Sequence, residues 1–459
     1  MTPLDTKEST VPSPFLWGVA SSAFQVEGAL AEDGRAPSVW DVFSARPGAV
    51  RDGHSPATAC DHYHRWAEDV DLLARLGVNA YRFSLSWPRV VPQGRGAVNK
   101  AGLDFYDRLV DALAERGIEP VPTLFHWDLP QALEEAGGWS SRATAHAFAD
   151  YAAAVADRLG DRVRRWITLN EPVVHMAYGH AFGVHAPGKA LEVPDVLTVA
   201  HHQLLAHGLA AGELRSRGLE VLLTNNYSPV GPATDSEADA VAARAYDALH
   251  NRLFTDPVLT GAYPDLSAFG ADGIDAVREG DMAVIAGSVD GLGVNYYNPS
   301  LVAAPAEGSQ LPFDFAEMTG VPTTAFGWPV VPEGLERLLL LLGERYGDAL
   351  PPMYVTENGC SRKDEPAPDG RVADPDRIAY LAGHVAAVDA ARERGADVRG
   401  YFVWTLTDNF EWAEGYHQRF GLVHVDHATQ RRRPKDSFDW YRSLIADRTG
   451  SAEDAVPGR

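Results

Sequence analysis

The sequence predicts an α/β fold, a single (β/α)8 TIM barrel with long loops at the C-terminal face of the barrel. Three observations support it: eight short apolar runs, helix-like stretches between them, and no repeat of fixed period. Short apolar runs bounded by glycine, proline or helices are typical of buried parallel strands. Eight such strands that alternate with helices fit a closed barrel rather than a solenoid or a propeller.

The predicted strands follow one another along the whole chain. They are Phe15–Ala20, Val78–Ser84, Pro120–Leu124, Val163–Leu169, Glu220–Thr224, Gly291–Asn295, Met353–Thr356 and Tyr401–Leu406. Helices are predicted before the second and third strands, at Trp66–Leu76 and Gly102–Arg116. The spacing of Leu335, Leu338 and Leu342 indicates the packing face of another helix.

Two intervals are longer than one helix and one loop require. Pro172–Leu219 and Pro299–Pro352 are therefore predicted to contain loop insertions of the barrel. Within the second interval, the Pro- and Gly-containing segment Ala303–Pro329 is expected to form an irregular loop over the barrel mouth. Near the end of the chain, Arg431–Arg433 is interpreted as a solvated turn.

No linker divides the sequence. Residues 1–459 are predicted to form one catalytic barrel domain, with a core of about residues 13–447. The segments Met1–Pro12 and Ala446–Arg459 are polar and are expected to be short frayed tails.

The composition is acidic, with a formal net charge of -23. This argues against nucleic acid and anionic membranes as partners. No apolar run approaches the roughly 20 residues that span a bilayer, and the N-terminus lacks the apolar core of a signal peptide. A cytoplasmic location is the expectation that follows. Cys60 and Cys360 have no nearby cysteine partner, so free thiols are expected rather than a disulfide or a zinc site.

Two acidic residues lie at the C-terminal ends of predicted strands, which is where barrel enzymes have their active-site residues. Glu171 follows the fourth strand and precedes a proline, which predicts an extended backbone there. Glu357 follows the seventh strand and is succeeded by Asn358 and Gly359. A pair of carboxyl groups facing one cavity suits cleavage of a glycosidic bond. The alternative interpretation is that each glutamate only caps the next helix.

The segments around both acids resemble one enzyme family. Thr168–Pro172 is similar to the acid/base motif of glycoside hydrolase family 1, the β-glucosidase family, and Tyr354–Gly359 is similar to its nucleophile motif. Phe15–Gly18 with Ser21–Gly28 resembles the family's N-terminal signature. The resemblance extends from about Phe15 to Leu444. It implies a retaining, exo-acting β-glycosidase without a cofactor or a bound metal, in which Glu171 is the acid/base and Glu357 the nucleophile.

The resemblance also implies a set of substrate-binding residues with neutral, anionic or aromatic side chains. They are Gln25, His126, Trp127, Asn170, Asn295, Tyr297, Trp404, Glu411, Trp412 and Phe420. Arg82 and Tyr297 are expected to support the nucleophile, and a cis peptide is expected between Trp404 and Thr405. Val173, His180, Phe182 and Trp328 are expected on the aglycone side. Packing alone could also account for His126, Trp404 and Trp412.

Three other functions compete with this interpretation. An inactive sugar-binding barrel would lack one of the two carboxylates. A metal-dependent isomerase or hydrolase is suggested only by His62 and His64, which lack partners at metal spacing. A 6-phospho-β-glycosidase belongs to the same family, but Glu414 would repel a phosphate. The expected partner is a small-molecule β-glycoside or oligosaccharide substrate. The sequence does not decide whether the sugar is glucose, galactose or fucose. It also leaves open the natural aglycone and the oligomeric state.

Overall fold

The computed structural model describes residues 14–450. Its strands, in chain order, are β1 (Leu16–Ala20), β2 (Ala80–Ser84), β3 (Glu119–Phe125), β4 (Arg165–Asn170), β5 (Glu220–Asn226), β6 (Val230–Pro232), β7 (Gly291–Asn295), β8 (Ser300–Ala303), β9 (Asp314–Ala316), β10 (Met353–Asn358), β11 (Val398–Trp404), β12 (Val423–Asp426) and β13 (Arg431–Pro434).

Eight of these strands close into a barrel in the order β1-β11-β10-β7-β5-β4-β3-β2. Every neighbouring pair around the barrel is parallel. The predicted (β/α)8 barrel is therefore confirmed, and all eight predicted strands exist with ends displaced by three residues or fewer.

Helices surround the barrel and connect its strands. They are α1 (Ala23–Val26), α2 (Val39–Ser44), α3 (His62–Leu76), α4 (Trp87–Val90), α5 (Lys100–Glu115), α6 (Gln131–Glu135), α7 (Arg142–Leu159), α8 (Pro172–Met176), α9 (Val193–Ser216), α10 (Glu237–Asp247), α11 (Asp256–Thr260), α12 (Asp281–Ile285), α13 (Pro332–Tyr346), α14 (Pro375–Glu393) and α15 (Asp436–Thr449).

Apolar side chains fill both sides of the barrel wall. Inside, alternate strand residues such as Leu16, Ala80, Val121 and Ile167 form one buried cluster. Outside, a larger cluster joins the strands to the helices. In α13, Leu335, Leu338 and Leu342 are all buried, as their spacing predicts. Packing on both faces explains why the strand sequences are continuously apolar.

The long intervals contain more regular structure than the sequence indicates. The interval after β4 holds α9, a 24-residue helix that returns to the barrel. The interval after β7 contains β8 and β9, which join β6 in a three-stranded sheet. The irregular loop predicted at Ala303–Pro329 is thus partly wrong, because β9 pairs with β8 in antiparallel register.

The prediction of a solvated turn at Arg431–Arg433 is wrong. These residues form β13, which pairs with β12. The guanidinium of Arg432 is buried and donates hydrogen bonds to both carboxylate oxygens of Asp69, at 2.8 and 2.9 Å. The sequence of three consecutive arginines does not reveal that Arg432 pairs with Asp69 on the distant helix α3.

The predicted tails fall mostly outside the described residues. Only 446–450 of the C-terminal tail is described, and α15 continues through it to Thr449, so that part of the prediction is wrong. Cys60 and Cys360 are buried and unbridged, as expected. Within residues 14–450, no helix combines the length and apolarity that crossing a membrane demands.

The ends of the two acid-bearing strands depart from regular pairing. The register between β4 and β5 shifts between Ile167 and Asn170. The register between β10 and β7 shifts between Val355 and Glu357. Such irregularities redirect side chains at barrel rims. They place Asn170 and Glu357 at the mouth of the barrel rather than in its apolar interior.

Candidate active site

A cavity of about 630 Å³ opens at the C-terminal ends of the barrel strands. Both Glu171 and Glu357 line it. The other sequence-predicted residues on its wall are His126, Trp127, Tyr297, Trp328, Trp404, Glu411, Trp412 and Phe420. The structure therefore brings residues that lie as far apart in the chain as His126 and Phe420, including both acids, to one site.

Four further predicted residues lie behind this wall and hold residues that line it. Arg82 bonds to Glu357, Asn295 bonds to Glu171, Asn170 bonds to His126, and Gln25 bonds to Glu411. All four are buried. Their side chains can position cavity groups even where they do not form the cavity surface themselves.

Glu171 is buried among neutral amides. Its Oε1 accepts hydrogen bonds from Nδ2 of Asn295 at 2.8 Å and from Nδ2 of Asn226 at 2.9 Å. Burial raises the pKa of Glu171 to about 7, and the nearby Glu357 adds to the rise, while the amide hydrogen bonds oppose it. A carboxyl group in this environment can hold a proton near neutral pH and release it to a substrate.

The backbone of Glu171 is not extended, as the following proline suggested, but left-handed, with φ 45° and ψ 56°. Proline disfavours the right-handed helical region for the residue before it, but the left-handed conformation of Glu171 is one that side-chain-bearing residues rarely adopt. The Glu171 N–H donates to the carbonyl oxygen of Thr224 at 2.9 Å, which anchors this conformation to β5.

Glu357 has different partners. Its Oε1 accepts from Nη1 of Arg82 at 2.5 Å, and its Oε2 accepts from the Tyr297 hydroxyl at 2.7 Å. All three side chains are largely shielded from solvent. A guanidinium and a phenol stabilise a negatively charged carboxylate. This oriented carboxylate can therefore serve as a nucleophile.

Arg82 also connects the two acids. Its Nη2 donates to Oδ1 of Asn170 at 2.6 Å, and the same oxygen accepts from Nδ2 of Asn295 at 3.2 Å. Asn295 in turn bonds to Glu171. The two carboxyl groups thus belong to one buried hydrogen-bond network, which fixes their positions relative to each other.

His126 lines the cavity with a neutral ring. Nδ2 of Asn170 donates to its Nε2 at 3.0 Å, so the proton of the neutral ring is on Nδ1. Burial, with a contribution from Arg82, lowers the pKa of His126 well below its usual value, which keeps the ring neutral. Within residues 14–450, its Nδ1 has no hydrogen-bond partner.

Aromatic rings surround His126. Its ring stacks near those of Trp404 and Trp412, with centroids 5.8 and 5.9 Å away. Trp127 packs on Trp412 at 4.7 Å, and its Nε1 donates to the carbonyl oxygen of Asn170 at 2.9 Å. The expected cis peptide between Trp404 and Thr405 is present. Aromatic faces beside hydrogen-bonding groups suit a sugar ring, which has C–H groups on its faces and hydroxyls on its rim.

Gln25 and Glu411 form a polar corner of the site. Nε2 of Gln25 donates to Oε2 of Glu411 at 3.1 Å. Burial raises the pKa of Glu411 to about 8, and the neighbouring glutamates 357, 171 and 414 add to the rise. Together, an amide and a carboxyl group provide the donors and acceptors that bind vicinal hydroxyls.

The aglycone-side prediction is only partly met by the geometry. Trp328 lines the cavity, stacked on Phe326 at 4.4 Å. Val173 and His180 are buried away from the cavity, and Phe182 is exposed outside it. Their neighbours Val174, Tyr178 and His185 line the wall instead. A π-helical turn at Ala177–Ala181 follows α8 and contains both His180, which is buried, and Tyr178, which lines the cavity.

Other cavity residues were missed by sequence reasoning. Asn226 ends β5, so the strand-end rule that identified Glu171 could also have identified it. Tyr246, His250 and Phe315 belong to the segments beyond the barrel, and no motif marks them.

One group of side chains could approach a metal ion. Ligand atoms of Asp52, His54 and His417 lie within 4.8 Å of one another. Each imidazole already has a partner, since Nε2 of His417 bonds to Asp52 and Nδ1 of His54 accepts from the Tyr416 N–H. None of the three lines the cavity. His62, considered above, is bonded to Asp69 in the buried start of α3. These contacts hold loops and helices together.

A parallel barrel with two buried acids in contrasting surroundings at its mouth defines a glycoside hydrolase. The chain belongs to glycosyl hydrolase family 1, whose model matches residues 7–449. This confirms the resemblance seen in the motifs, and the protein is accordingly a hydrolytic enzyme.

Relatives in the family are named β-glucosidases. β-Glucosidase A of Thermotoga maritima is 43% identical over 95% of this chain and 97% of its own length. Thermostable β-glucosidase B of Thermobispora bispora is 50% identical over 95% of this chain and 90% of its own. The solved psychrophilic β-glucosidase of Micrococcus antarcticus superposes with a TM-score of 0.91 at 46% identity, covering 94% of this chain and 97% of that one.

Proposed function

We propose that this protein is a retaining, exo-acting β-glucosidase that works by double displacement. The observation that carries the proposal is the contrast between the two acids. Glu357 is held by a cation and a phenol, whereas Glu171 is held by amides and has a pKa of about 7. One carboxylate is arranged to attack, and the other carboxyl group is arranged to donate a proton.

In the first step, Glu357 attacks the anomeric carbon while Glu171 protonates the departing oxygen. The bond to the aglycone breaks, and a glycosyl ester forms on Glu357. Formation of this ester removes the negative charge that contributes to the raised pKa of Glu171. In the second step, ionised Glu171 takes a proton from water, and the water releases the sugar with its original configuration.

Glucose is the proposed glycone, and fucose is a second candidate. The support is the naming of relatives, among them a bifunctional β-D-glucosidase/β-D-fucosidase of Bifidobacterium breve that is 45% identical over 95% of this chain. Glu411 and Gln25 offer hydrogen bonds to hydroxyls in either configuration at the 4-position. An inactive barrel has no support, because both carboxylates are present and oriented.

The stereochemistry of the first product tests the proposal. Proton NMR of 4-nitrophenyl β-D-glucoside during hydrolysis should show the β-anomer of glucose first, and the α-anomer should appear only later by mutarotation. An inverting enzyme would give the α-anomer first. Either that result or a failure to hydrolyse β-glucosides would contradict the proposed function.

Discrimination against 6-phosphorylated substrates gives a second test. Glu414 lines the cavity and accepts a hydrogen bond from Arg51 at 3.0 Å. Its negative charge would repel a phosphate, and like-charge contacts cost several kcal/mol. We expect kcat/KM for 4-nitrophenyl β-glucoside to exceed that for its 6-phosphate by about 100-fold or more.

The variant Glu414→Gln provides the matched comparison. It removes the charge and keeps the size of the side chain, and it leaves Arg51 free for the phosphate. The ratio of kcat/KM for 4-nitrophenyl β-glucoside to kcat/KM for its 6-phosphate should therefore decrease. A native enzyme that prefers the 6-phosphate would identify it as a 6-phospho-β-glycosidase instead.

A further inference from the structure

Asp52, His54 and His417 come from two loops that meet at the protein surface. Nε2 of His417 bonds to Oδ2 of Asp52 at 2.7 Å, and the rings of His54 and His417 stack with centroids 4.9 Å apart. One ligand atom from each of the three side chains lies within 4.8 Å of the other two. The side chain of Asp52 is 66% exposed and that of His417 is 33% exposed, so ions can reach the cluster from solvent.

Two imidazoles and a carboxylate form a ligand set that suits zinc and other divalent transition metals. Imidazole nitrogens bind Zn²⁺, Ni²⁺ and Cu²⁺, whereas Mg²⁺ and Ca²⁺ favour oxygen ligands. In a tetrahedral zinc site, ligand atoms at about 2.1 Å from the metal lie about 3.4 Å from one another. The three ligand atoms would therefore approach one another by up to about 1.4 Å on binding. Water can supply the fourth ligand.

His54 can bind a metal only by giving up a contact with the second loop. Its Nδ1 accepts a hydrogen bond from the Tyr416 N–H at 3.0 Å, so the proton of the neutral ring is on Nε2. A metal at Nδ1 would displace the Tyr416 N–H. A metal at Nε2 would move the ring proton to Nδ1, where it would face the same N–H. In either geometry, metal binding breaks this hydrogen bond.

The loop that loses this contact carries residues of the active-site cavity. Glu411, Trp412 and Glu414 line the cavity. The Glu411 N–H donates to the carbonyl oxygen of Gly415 at 2.6 Å, and the Gly415 N–H donates to that of Trp412 at 3.1 Å. The backbone of Gly415 packs so closely on the His54 ring that an added Cβ would lie 2.5 Å from Nδ1. Because this turn is internally bonded and rests on His54, a movement of His54 displaces its cavity residues.

We propose that Asp52, His54 and His417 form an inhibitory binding site for Zn²⁺ and related divalent transition metal ions. The ion binds outside the cavity, breaks the hydrogen bond between His54 and Tyr416, and weakens sugar binding by the turn. Catalysis does not use this ion, and its removal restores the contact. Metal binding is independent of the proposed function, and only the effect on sugar binding rests on it.

Calorimetric titration of the metal-free protein with zinc chloride tests the site without reference to activity. One Zn²⁺ per chain should bind at this cluster. Asp52→Asn and His417→Gln should each weaken that binding by at least about tenfold, since even changes behind the ligands cost a metal site this much. Both substitutions keep a hydrogen-bonding side chain, and asparagine also tolerates the positive φ of Asp52, 53°.

Hydrolysis of 4-nitrophenyl β-glucoside tests the effect on the cavity. Zn²⁺ should raise KM between about twofold and tenfold, as loss of one hydrogen bond predicts. The value of kcat should change little, because the lost contact affects sugar binding before and during bond breaking alike, and EDTA should reverse the effect. Without metal, Asp52→Asn and His417→Gln should match the native protein, because neither residue lines the cavity. With Zn²⁺, their KM should stay unchanged.

His64→Gln provides the matched control. His64 is also exposed and lies between two carboxylates, Asp61 at 2.6 Å and Glu32 at 3.0 Å. Within the part of the chain that the structure describes, it does not belong to a comparable cluster of three ligands. This variant should bind Zn²⁺ and respond to it as the native protein does. Cys60 and Cys360 are buried, which keeps their thiols from competing for the ion.

The other outcomes overturn different parts of the proposal. Native-like affinity and inhibition in His417→Gln would assign Zn²⁺ to another site, such as the two catalytic carboxyl groups, and would overturn it. Absence of binding would overturn the site, and binding with an unchanged KM would overturn its inhibitory effect. If the native protein hydrolyses no β-glucoside, the proposed function fails, while the calorimetric comparison of the variants still decides whether the metal site exists.

Discussion

Replacement of Glu357 by alanine is expected to reduce kcat by roughly 10⁴ to 10⁶, the scale seen when a hydrolase loses its nucleophile. The variant keeps Arg82 and Tyr297 but loses the carboxylate that they orient. Among residues 14–450, no other carboxylate accepts from both of these donors. The measurement is single-turnover and steady-state hydrolysis of 2,4-dinitrophenyl β-glucoside, whose leaving group needs no proton.

The space left by the missing carboxylate in Glu357→Ala allows a second expected result, which is rescue by small anions. Azide or formate can enter it, attack the anomeric carbon and restore part of the rate, and azide should give α-glucosyl azide. Glu357→Gln provides the control, because its side chain fills the space and should block rescue. A Glu357→Ala variant within tenfold of the native rate, or a β-glucosyl azide product, would refute the assignment of Glu357 as nucleophile.

The fold was predictable because its signal is local and repeated. Each barrel strand is a short apolar run, and burial on both faces gives every run the same character. The insertions had no such signal. The strands β8 and β9 are three or four residues long and half-buried, and they form only because β6 pairs with β8. Pairing between distant short segments is a tertiary property that no local pattern encodes.

The site was predictable where a strand end carries a polar residue. Glu171 and Glu357 were identified in this way, and Asn226 could have been. Backbone geometry was not predictable: Trp127, Glu171 and Trp412 all have positive φ, which side-chain-bearing residues rarely adopt. Such conformations are maintained by surrounding contacts, for example the hydrogen bond from Trp127 Nε1 to Asn170. Phe315 was missed for a different reason, because it becomes a cavity residue only through the pairing of β9 with β8.

The pH dependence of kcat/KM is expected to report Glu171. Its pKa is raised from 4.5 to about 7, and the proposed active form is protonated. Raising the pH through about 7 ionises this carboxyl group, so kcat/KM for phenyl β-glucoside should fall, approaching tenfold for each further pH unit. Glu411, with a pKa of about 8, titrates within the same pH window, so loss of the fall in the variant Glu171→Ala is what assigns it to Glu171. A profile with no fall between pH 6 and about 9 would contradict the role of Glu171 as acid.

The variant Glu171→Ala should lose more kcat/KM on substrates whose leaving group depends more strongly on protonation. With phenyl β-glucoside, a poor leaving group, kcat/KM should fall by about 10² to 10⁴, the usual contribution of general acid catalysis. With 2,4-dinitrophenyl β-glucoside, kcat/KM should change little, and the residual kcat/KM for phenyl β-glucoside should no longer fall above pH 7. The second step still lacks its base, so azide should accelerate turnover and give β-glucosyl azide, the opposite anomer from that expected with Glu357→Ala. Equal losses on both substrates would show instead that Glu171 holds the site together without transferring a proton.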